Sequence, residues 1–339
     1  MVAAASHEVF NQPPPYTGVD LYAIDAALAD AVTAFGTVAE APALSAFGRR
    51  WGNAEMFEHG RLANVHPPVL HAFDAAGRRR DDIEFHLSYH SLMRESIAAG
   101  LAAMTWRDDG TRAAAGAEVG RAARYYMVAQ VENGHMCPVT MTRAAVAALT
   151  TEPELARAAL PLIHSRHYDA AFRPWQEKSG ITLGMGMTER QGGTDVRANT
   201  TRATAAGDGF LITGHKWFLS APMSDAFLVL AQAEGGLTCF LLPRFRPDGT
   251  VNAMRLMRLK DKLGNRSNAS AEVEFDEAFA WRVGEEGRGV RTIIEMVQLT
   301  RLDCAIASAG LMRAALSRAM HHARHRNVSG RRLFDVPLM

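Results

Sequence analysis

The chain has 339 residues, 48% of them hydrophobic, with 37 lysines and arginines against 36 aspartates and glutamates, a formal net charge of +1. That length fits one large domain or two to three small ones. The near-neutral charge argues against a chain built to coat a polyanion, whose affinity comes from phosphate neutralisation. Cys137, Cys239 and Cys304 stand far apart with no C-x-x-C pair, which suits a reduced, cytoplasmic protein and gives no sign of zinc or a disulfide framework. The N-terminus "MVAAASHEVFNQPPPYTG" lacks a basic start followed by an apolar core, so no secretory signal is expected. No stretch reaches the roughly 18 uninterrupted apolar residues of a membrane span. A soluble globular protein is expected.

Residues 1 to about 182 read mostly as helix. "VDLYAIDAALADAVTAF" places Leu21, Ile24, Leu28, Ala31, Val32 and Phe35 at three- and four-residue steps. "IEFHLSYHSLMRESIAAGLAAM" and "AEVGRAARYYMVAQV" repeat the pattern, and Glu152-Pro153 opens another helix in "TEPELARAALPLI". "PPPYTG", "HPPVL" and "DAAGRRRDD" punctuate the joins.

From about 183 to 288 the period changes to that of strands. "TTRATAAGDGFLITGHKWFLS" reads as two strands around an Asp-Gly turn, and "AFLVLAQAEGGLTCFLLP" as a hairpin around Gly235-Gly236. "SNASAEVEFDEAFA" alternates Ala271, Val273 and Phe275 inward against Glu272, Glu274 and Asp276 outward. The expectation is a small antiparallel β-barrel or sandwich.

After "GEEGRGV" the helical period returns and runs to about Arg326. Val290, Ile293, Ile294, Val297, Leu302, Ile306, Ala309, Met312, Leu316 and Met320 form one apolar stripe, which must bury against partner helices. Residues 289–339 therefore read as the start of a helical bundle, completed by segments beyond Met339 or by another subunit; we favour truncation. The fold class expected is α+β multidomain: an N-terminal helical domain (1–182), a central β domain (183–288) and an incomplete C-terminal bundle (289–339).

The stretch "GMGMTERQGGTDVRANTT", residues 184–201, carries the functional signal. It is not a Walker loop, because no Gly-Lys-Ser/Thr follows. It is not a dinucleotide fingerprint, because Glu189 stands where the third glycine belongs. His321 and His325, like His86 and His90, sit one helical turn apart, but neither pair has the carboxylate of an H-E-x-x-H site, so no metal is expected. No G-x-S-x-G elbow supports a serine hydrolase.

The order of helices, β domain and helices, with this loop at the entrance to the β domain, resembles the acyl-CoA dehydrogenase superfamily. "MTERQGGTDV" is similar to that family's M-T-E-x-x-x-G-S-D-V flavin loop, and "GHKWFLS" to its G-x-K-x-aromatic-x-Thr/Ser strand. "NQPPPY", "RLANVHPP", "CPVTMT" and "LKDKLGNRSNAS" most resemble the AidB branch, which is associated with the adaptive response to DNA alkylation. The resemblance implies FAD as cofactor. Within it, Thr188 meets the flavin pyrimidine edge, Thr194 the pyrophosphate side, Phe218 packs on the ring and Ser220 reaches N5. Met185, Gly186, Met187, Gly193 and Leu219 complete the loop and strand. Read from the residues alone, Thr188 and Thr194 cap turns and Phe218 is core.

The family also implies α,β-dehydrogenation of an acyl thioester, in which a glutamate removes the α-proton. One family position for that base, directly before Arg301, is Thr300 here; the other falls beyond Met339, so the chain contains no candidate for a catalytic residue. Arg301 matches an arginine near the substrate crevice, or is a solvated helix arginine. Arg326 in "RNVSG" matches the R-x-x-F-G segment reaching the adenine end of a neighbouring subunit's FAD, with Ser329 in place of the phenylalanine. The partners implied are an acyl-CoA-like small molecule and further copies of the chain, as a homodimer or homotetramer. The rival reading is duplex DNA, through a C-terminal region outside the chain or through the seven arginines of residues 301–339.

Overall fold

The computed structural model describes residues 7–338. Seven helices come first: α1 (Ala26–Phe35), α2 (Ala41–Trp51), α3 (Ala54–Val65), α4 (Leu87–Ala98), α5 (Ala115–Ala129), α6 (Met136–Leu149) and α7 (Pro153–His164). The α1 start follows from Asp25, whose carboxylate accepts the Leu28 backbone N–H and satisfies one of the free donors of the first turn. Pro153 at the first position of α7 costs nothing there, because that N–H has no helical partner.

Between α3 and α4 the structure corrects the sequence reading. β1 (Val69–Phe73) and β2 (Arg79–Glu84) form an antiparallel hairpin where joins were expected. Ile83 and Glu84 are its last residues, and helix begins only at Leu87, with the His86 ring accepting the Ser88 N–H. In the first expected helix, Val32 is buried, but Ile24 and Phe35 are exposed.

The β domain has seven strands: β3 (Leu183–Gly186), β4 (Arg202–Ala206), β5 (Gly209–Ser220), β6 (Ala226–Ala233), β7 (Gly236–Pro243), β8 (Met254–Leu259) and β9 (Ser270–Val283). Their order is β3-β5-β4-β6-β7-β9-β8, and added β3–β6 and β5–β9 pairings close it into a barrel. It is not wholly antiparallel, since β3 and β4 run parallel to β6. Both hairpin turns sit one residue earlier than read: Ala206 pairs with Gly209 around Gly207-Asp208, and Ala233 pairs with Gly236. Gly207 takes φ of +61°, the left-handed region the tight turn needs. The inward alternation of Ala271, Val273 and Phe275 holds, but Glu272 is buried beneath Arg258 and Lys260. β8 was not foreseen.

β6 is buried on both faces. Phe227 and Val229 point into the barrel, while Leu228 and Leu230 join the layer of α6, α7 and the last helix. That explains its unbroken apolar run. The last helix, α8 (Gly289–His325), is 37 residues long and crosses both the barrel and the N-terminal helices. Its buried face is Ile293, Met296, Asp303, Ala307, Gly310 and Ala314. The expected single apolar stripe is therefore split: Ile293 and Val297 are buried, whereas Leu302, Met312 and Leu316 are exposed. A Cβ on Gly310 would lie 2.5 Å from the Tyr126 carbonyl, so α8 packs on α5 through small residues and its larger ones face outward. No helix among the described residues is long and apolar enough to cross a membrane.

Candidate functional site

Strand pairing brings together two stretches far apart in sequence. β3 runs antiparallel to the end of β5, with Met185 opposite Ser220 and Gly186 opposite Leu219. The approach leaves no room for a side chain at Gly184, whose Cβ would lie 2.5 Å from the Ser220 carbonyl. Beyond β3 the loop folds back on itself. Trp217 donates its N–H to the Thr188 carbonyl at 2.8 Å, Asn199 donates to the Met187 carbonyl at 2.9 Å, and a Cβ on Gly193 would meet Thr188 Oγ1 at 2.4 Å.

Glu189 fixes that loop. Its carboxylate, fully buried, accepts Lys216 Nζ at 2.7 Å and the backbone N–H groups of Thr200 and Thr201 at 2.7 and 3.1 Å. Burial pushes the carboxyl up, but Lys216 and the N–H donors outweigh it and hold the group below the usual carboxylate range. Burial lowers the Lys216 ammonium to about 8 despite the carboxylate beside it. With every lone pair committed, Glu189 is an anchor of the loop.

The register of β5 against β9 shifts between Lys216 and Leu219. Such an irregularity re-aims side chains, and here two consecutive aromatics escape the strict alternation. Trp217 lies 3.6 Å from Lys260 Nζ and 4.9 Å from the Arg190 guanidinium, measured to the ring centre. Phe218 remains 40% exposed, which rules out the reading of it as core. Thr188 is half-buried and Thr194 exposed at the same surface.

Sequence reasoning missed what lies on the other side of Ser220. The only trace was the "CPVTMT" and "LKDKLGNRSNAS" segments, quoted for likeness but given no role. Cys137, at the start of α6, borders Ser220 and Asn268, and burial pushes its thiol up to about 11, so it stays neutral. Before it, the buried Glu132 carboxylate accepts the N–H groups of Gly134 and His135 and the Ser267 hydroxyl, at 2.8, 2.9 and 2.8 Å. It also pairs with the His135 ring at 2.7 Å. Burial raises the Glu132 carboxyl, but these partners prevail and bring it from 4.5 to about 2. A carboxyl depressed on folding adds stability above its unfolded value and loses it as pH falls through its folded value. Glu132 thus contributes about 3 kcal/mol, present above pH 4.5 and lost between there and about pH 2. Glu132→Gln is expected to flatten the acid limb of stability in that window, as measured by denaturant midpoints at successive pH. An unchanged acid limb would remove the assignment.

The two arginines named from sequence are not gathered into this site. Arg301 is exposed on α8, and the neighbouring Thr300 hydroxyl donates to the Val297 carbonyl at 2.9 Å. Arg326 lies just past the far end of α8, a helix about 55 Å long, and donates to the Asn11 carbonyl of its own chain at 2.9 Å. Other basic groups of this region are likewise engaged: Arg313 pairs with Asp25, Arg318 donates to the Gln130 carbonyl, Arg324 stacks on Phe334 and Arg332 pairs with Asp335. His321 bonds the Pro14 carbonyl and His325 that of His321, while His86 stacks on His66 and His90 meets the Tyr168 hydroxyl.

Comparison with known proteins agrees with this architecture. Residues 11–170 match the adaptive response protein AidB N-terminal domain, 184–278 the acyl-CoA dehydrogenase middle domain and 287–339 the acyl-CoA dehydrogenase C-terminal domain. The chain is 50% identical to AidB of Escherichia coli (strain K12) over 337 residues, covering 98% of this chain and 62% of that protein. It is 32% identical over 312 residues to acyl-CoA dehydrogenase family member 11 of Caenorhabditis elegans, covering 87% and 49% respectively. The crystal structure of Caenorhabditis elegans ACDH-11 in complex with C11-CoA superposes with a TM-score of 0.86 at 29% identity, covering 100% of this chain and 59% of that one. The chain thus spans between about half and two thirds of the length of these relatives. With an AidB N-terminal domain followed by acyl-CoA dehydrogenase middle and C-terminal domains, the chain belongs to the acyl-CoA dehydrogenase superfamily, in its AidB branch.

Proposed function

We propose that this chain binds FAD on the surface made by the 187–201 loop and the end of β5, as the flavin-holding part of an acyl-CoA dehydrogenase-type oxidoreductase. The observation that carries the reading is the pairing of Met185 and Gly186 with Ser220 and Leu219, which sets both family motifs side by side. The residues fit the cofactor. Gly192 and Gly193 leave loop backbone exposed, where N–H groups can approach a ring or a phosphate. Phe218 offers an exposed aromatic face, and Asn268 Oδ1 is buried near Ser220 without a hydrogen-bond partner among the described residues.

In this reading Thr188 and the backbone of Met185–Met187 hold the pyrimidine edge, Gly193 and Thr194 the pyrophosphate side, and Leu219 and Ser220 the edge that faces substrate. When bound, FAD supplies a two-electron acceptor for the β-hydride of an acyl thioester. The Glu189–Lys216 pair keeps the loop in place, and its committed lone pairs leave it no part in proton removal. Thr300, whose neutral hydroxyl is far too weak a base to take a proton from carbon near neutral pH, cannot serve either, so we assign flavin binding to this chain and no dehydrogenation to its own residues. Arg301, exposed on α8 and apart from the gathered residues, keeps only its family match as a candidate acyl-CoA contact, and the exposed Leu302, Met312 and Leu316 face is where further bundle helices or a second copy would pack. The role in DNA alkylation response is carried over from the branch. Duplex DNA binding by this chain is the weaker reading, because five of the seven arginines in 301–339 are engaged internally.

The test is the visible spectrum of the purified chain, followed by FAD titration. Thr188→Ala with Ser220→Ala removes two hydrogen bonds of roughly 0.5–1.5 kcal/mol each. Retention is expected to weaken about 5- to 150-fold. Undiminished flavin occupancy in the folded double variant would count decisively against this assignment.

A further inference from the structure

The chain has four lysines. Three are neutralised by carboxylates: Lys178 by Asp225 at 2.6 Å, Lys216 by Glu189 at 2.7 Å and Lys260 by Glu272 at 2.7 Å. Lys262 makes no ion pair among the described residues. Its Nζ donates to the Asn268 carbonyl at 2.7 Å and to the Ser270 hydroxyl at 3.4 Å, both neutral. The ammonium is nonetheless half-buried, and burial lowers its pKa from the usual lysine value. Taking a charge out of water without a counter-ion is costly. The carboxylate whose field reaches it, Glu132, is already committed to Asn64, Gly134, His135 and Ser267.

Its location gives that charge a use. Ser270 is the cross-strand partner of Ser220 in the β5–β9 ladder, which puts their Cα atoms about 5 Å apart. Cys137, in the first turn of α6, borders the same serine, and the helix N-terminus adds positive potential. One N–H of Lys262 is left over after its two bonds. An unneutralised ammonium therefore stands beside the substrate-facing edge of the candidate site.

We propose that Lys262 is a positioning residue for the bound flavin, its charge favouring negative charge on the ring and so raising the flavin's reduction potential. This rests on the FAD reading above. The two electrons that reduce the ring come from the substrate, or from dithionite in the test.

The experiment loads the chain, Lys262→Met and Lys262→Arg with FAD, measures the Kd of each by fluorescence, then titrates with dithionite beside a reference dye. At a fixed dye potential, Lys262→Met is expected to hold a reduced-to-oxidised flavin ratio about tenfold lower, a shift of about 30 mV for two electrons. Lys262→Arg should stay within about twofold of the unaltered chain. Lys262→Gln, which keeps a donor for the Asn268 carbonyl, replaces Lys262→Met if that variant does not fold. An unchanged ratio in the neutral variants overturns the proposal, and so does an arginine variant that falls as far as the methionine one, because then charge is not what matters. Failure of the unaltered chain to bind FAD removes this inference together with the reading beneath it, whereas FAD binding with an unchanged ratio removes this inference alone.

Discussion

Asp303→Ala is expected to lower the free energy of unfolding by about 3–5 kcal/mol. Asp303 is the shared counter-ion of two arginines from different helices, and all three are buried. Arg121 of α5 grips it through both terminal nitrogens at 2.7 and 2.8 Å, Arg143 of α6 donates at 3.2 Å and Thr140 at 2.5 Å. Arg121 also spends its Nε on the Leu101 carbonyl, and Arg143 reaches Glu118 and Thr105. Removing the aspartate leaves two buried guanidinium groups, of which only Arg143 keeps a carboxylate partner, Glu118. Burial and Arg121 already lower the Arg143 pKa. A typical domain is stable by about 5–15 kcal/mol, so the loss is a large fraction of the total. Guanidinium chloride unfolding should show it as a lower midpoint with a similar slope. Asp303→Asn keeps acceptors for Thr140 and one arginine and should fall between. A loss below about 1 kcal/mol in Asp303→Ala would mean that water enters and compensates, and the network would then not be what docks α8 on α5 and α6.

The same residue shows where the sequence could be read and where it could not. The three-part order and the long last helix were legible, because a change of period from 3.6 to 2 and back survives any error at element ends. The buried face of that helix was not. Large apolar residues defined the stripe, but close packing on α5 selects Ala307, Gly310 and Ala314, which carry little hydropathy, and centres on a charged group. The β1–β2 hairpin was hidden because its "RRDDIE" strand is mostly polar, with only Asp81 and Ile83 buried. In the site, the loop glycines and the "GHKWFLS" strand were legible as motifs. Glu132 and Lys262 were not: Glu132 draws on Asn64 and Ser267, 68 and 135 residues away, and Lys262 matters for the counter-ion it lacks, and neither leaves a local pattern.

Lys216→Met is the second large expected effect, and it separates the anchor from the cofactor contacts. Glu189 and Lys216 are both without solvent exposure. Replacing the lysine strands a carboxylate among Thr200, Thr201 and Gln191, which supply only neutral donors. Truncating one partner of such a pair costs about 3–5 kcal/mol, because the remaining charge has lost its counter-ion. The cost is local to the loop and β5, so flavin retention should fall by more than in Thr188→Ala, although Lys216 itself is too deep to touch a ligand. Adding Glu189→Gln to Lys216→Met removes the stranded charge and should recover part of both losses, since residues in direct contact are not additive. The pair is read from two measurements on each variant, the unfolding midpoint and the FAD Kd. If Lys216→Met lowers stability but leaves FAD affinity intact, the ion pair is a fold element alone and the loop does not depend on it. If the double variant is worse than Lys216→Met in both, the stranded carboxylate is not the cause, and the hydrogen bonds of Glu189 to Thr200 and Thr201 carry the loop instead.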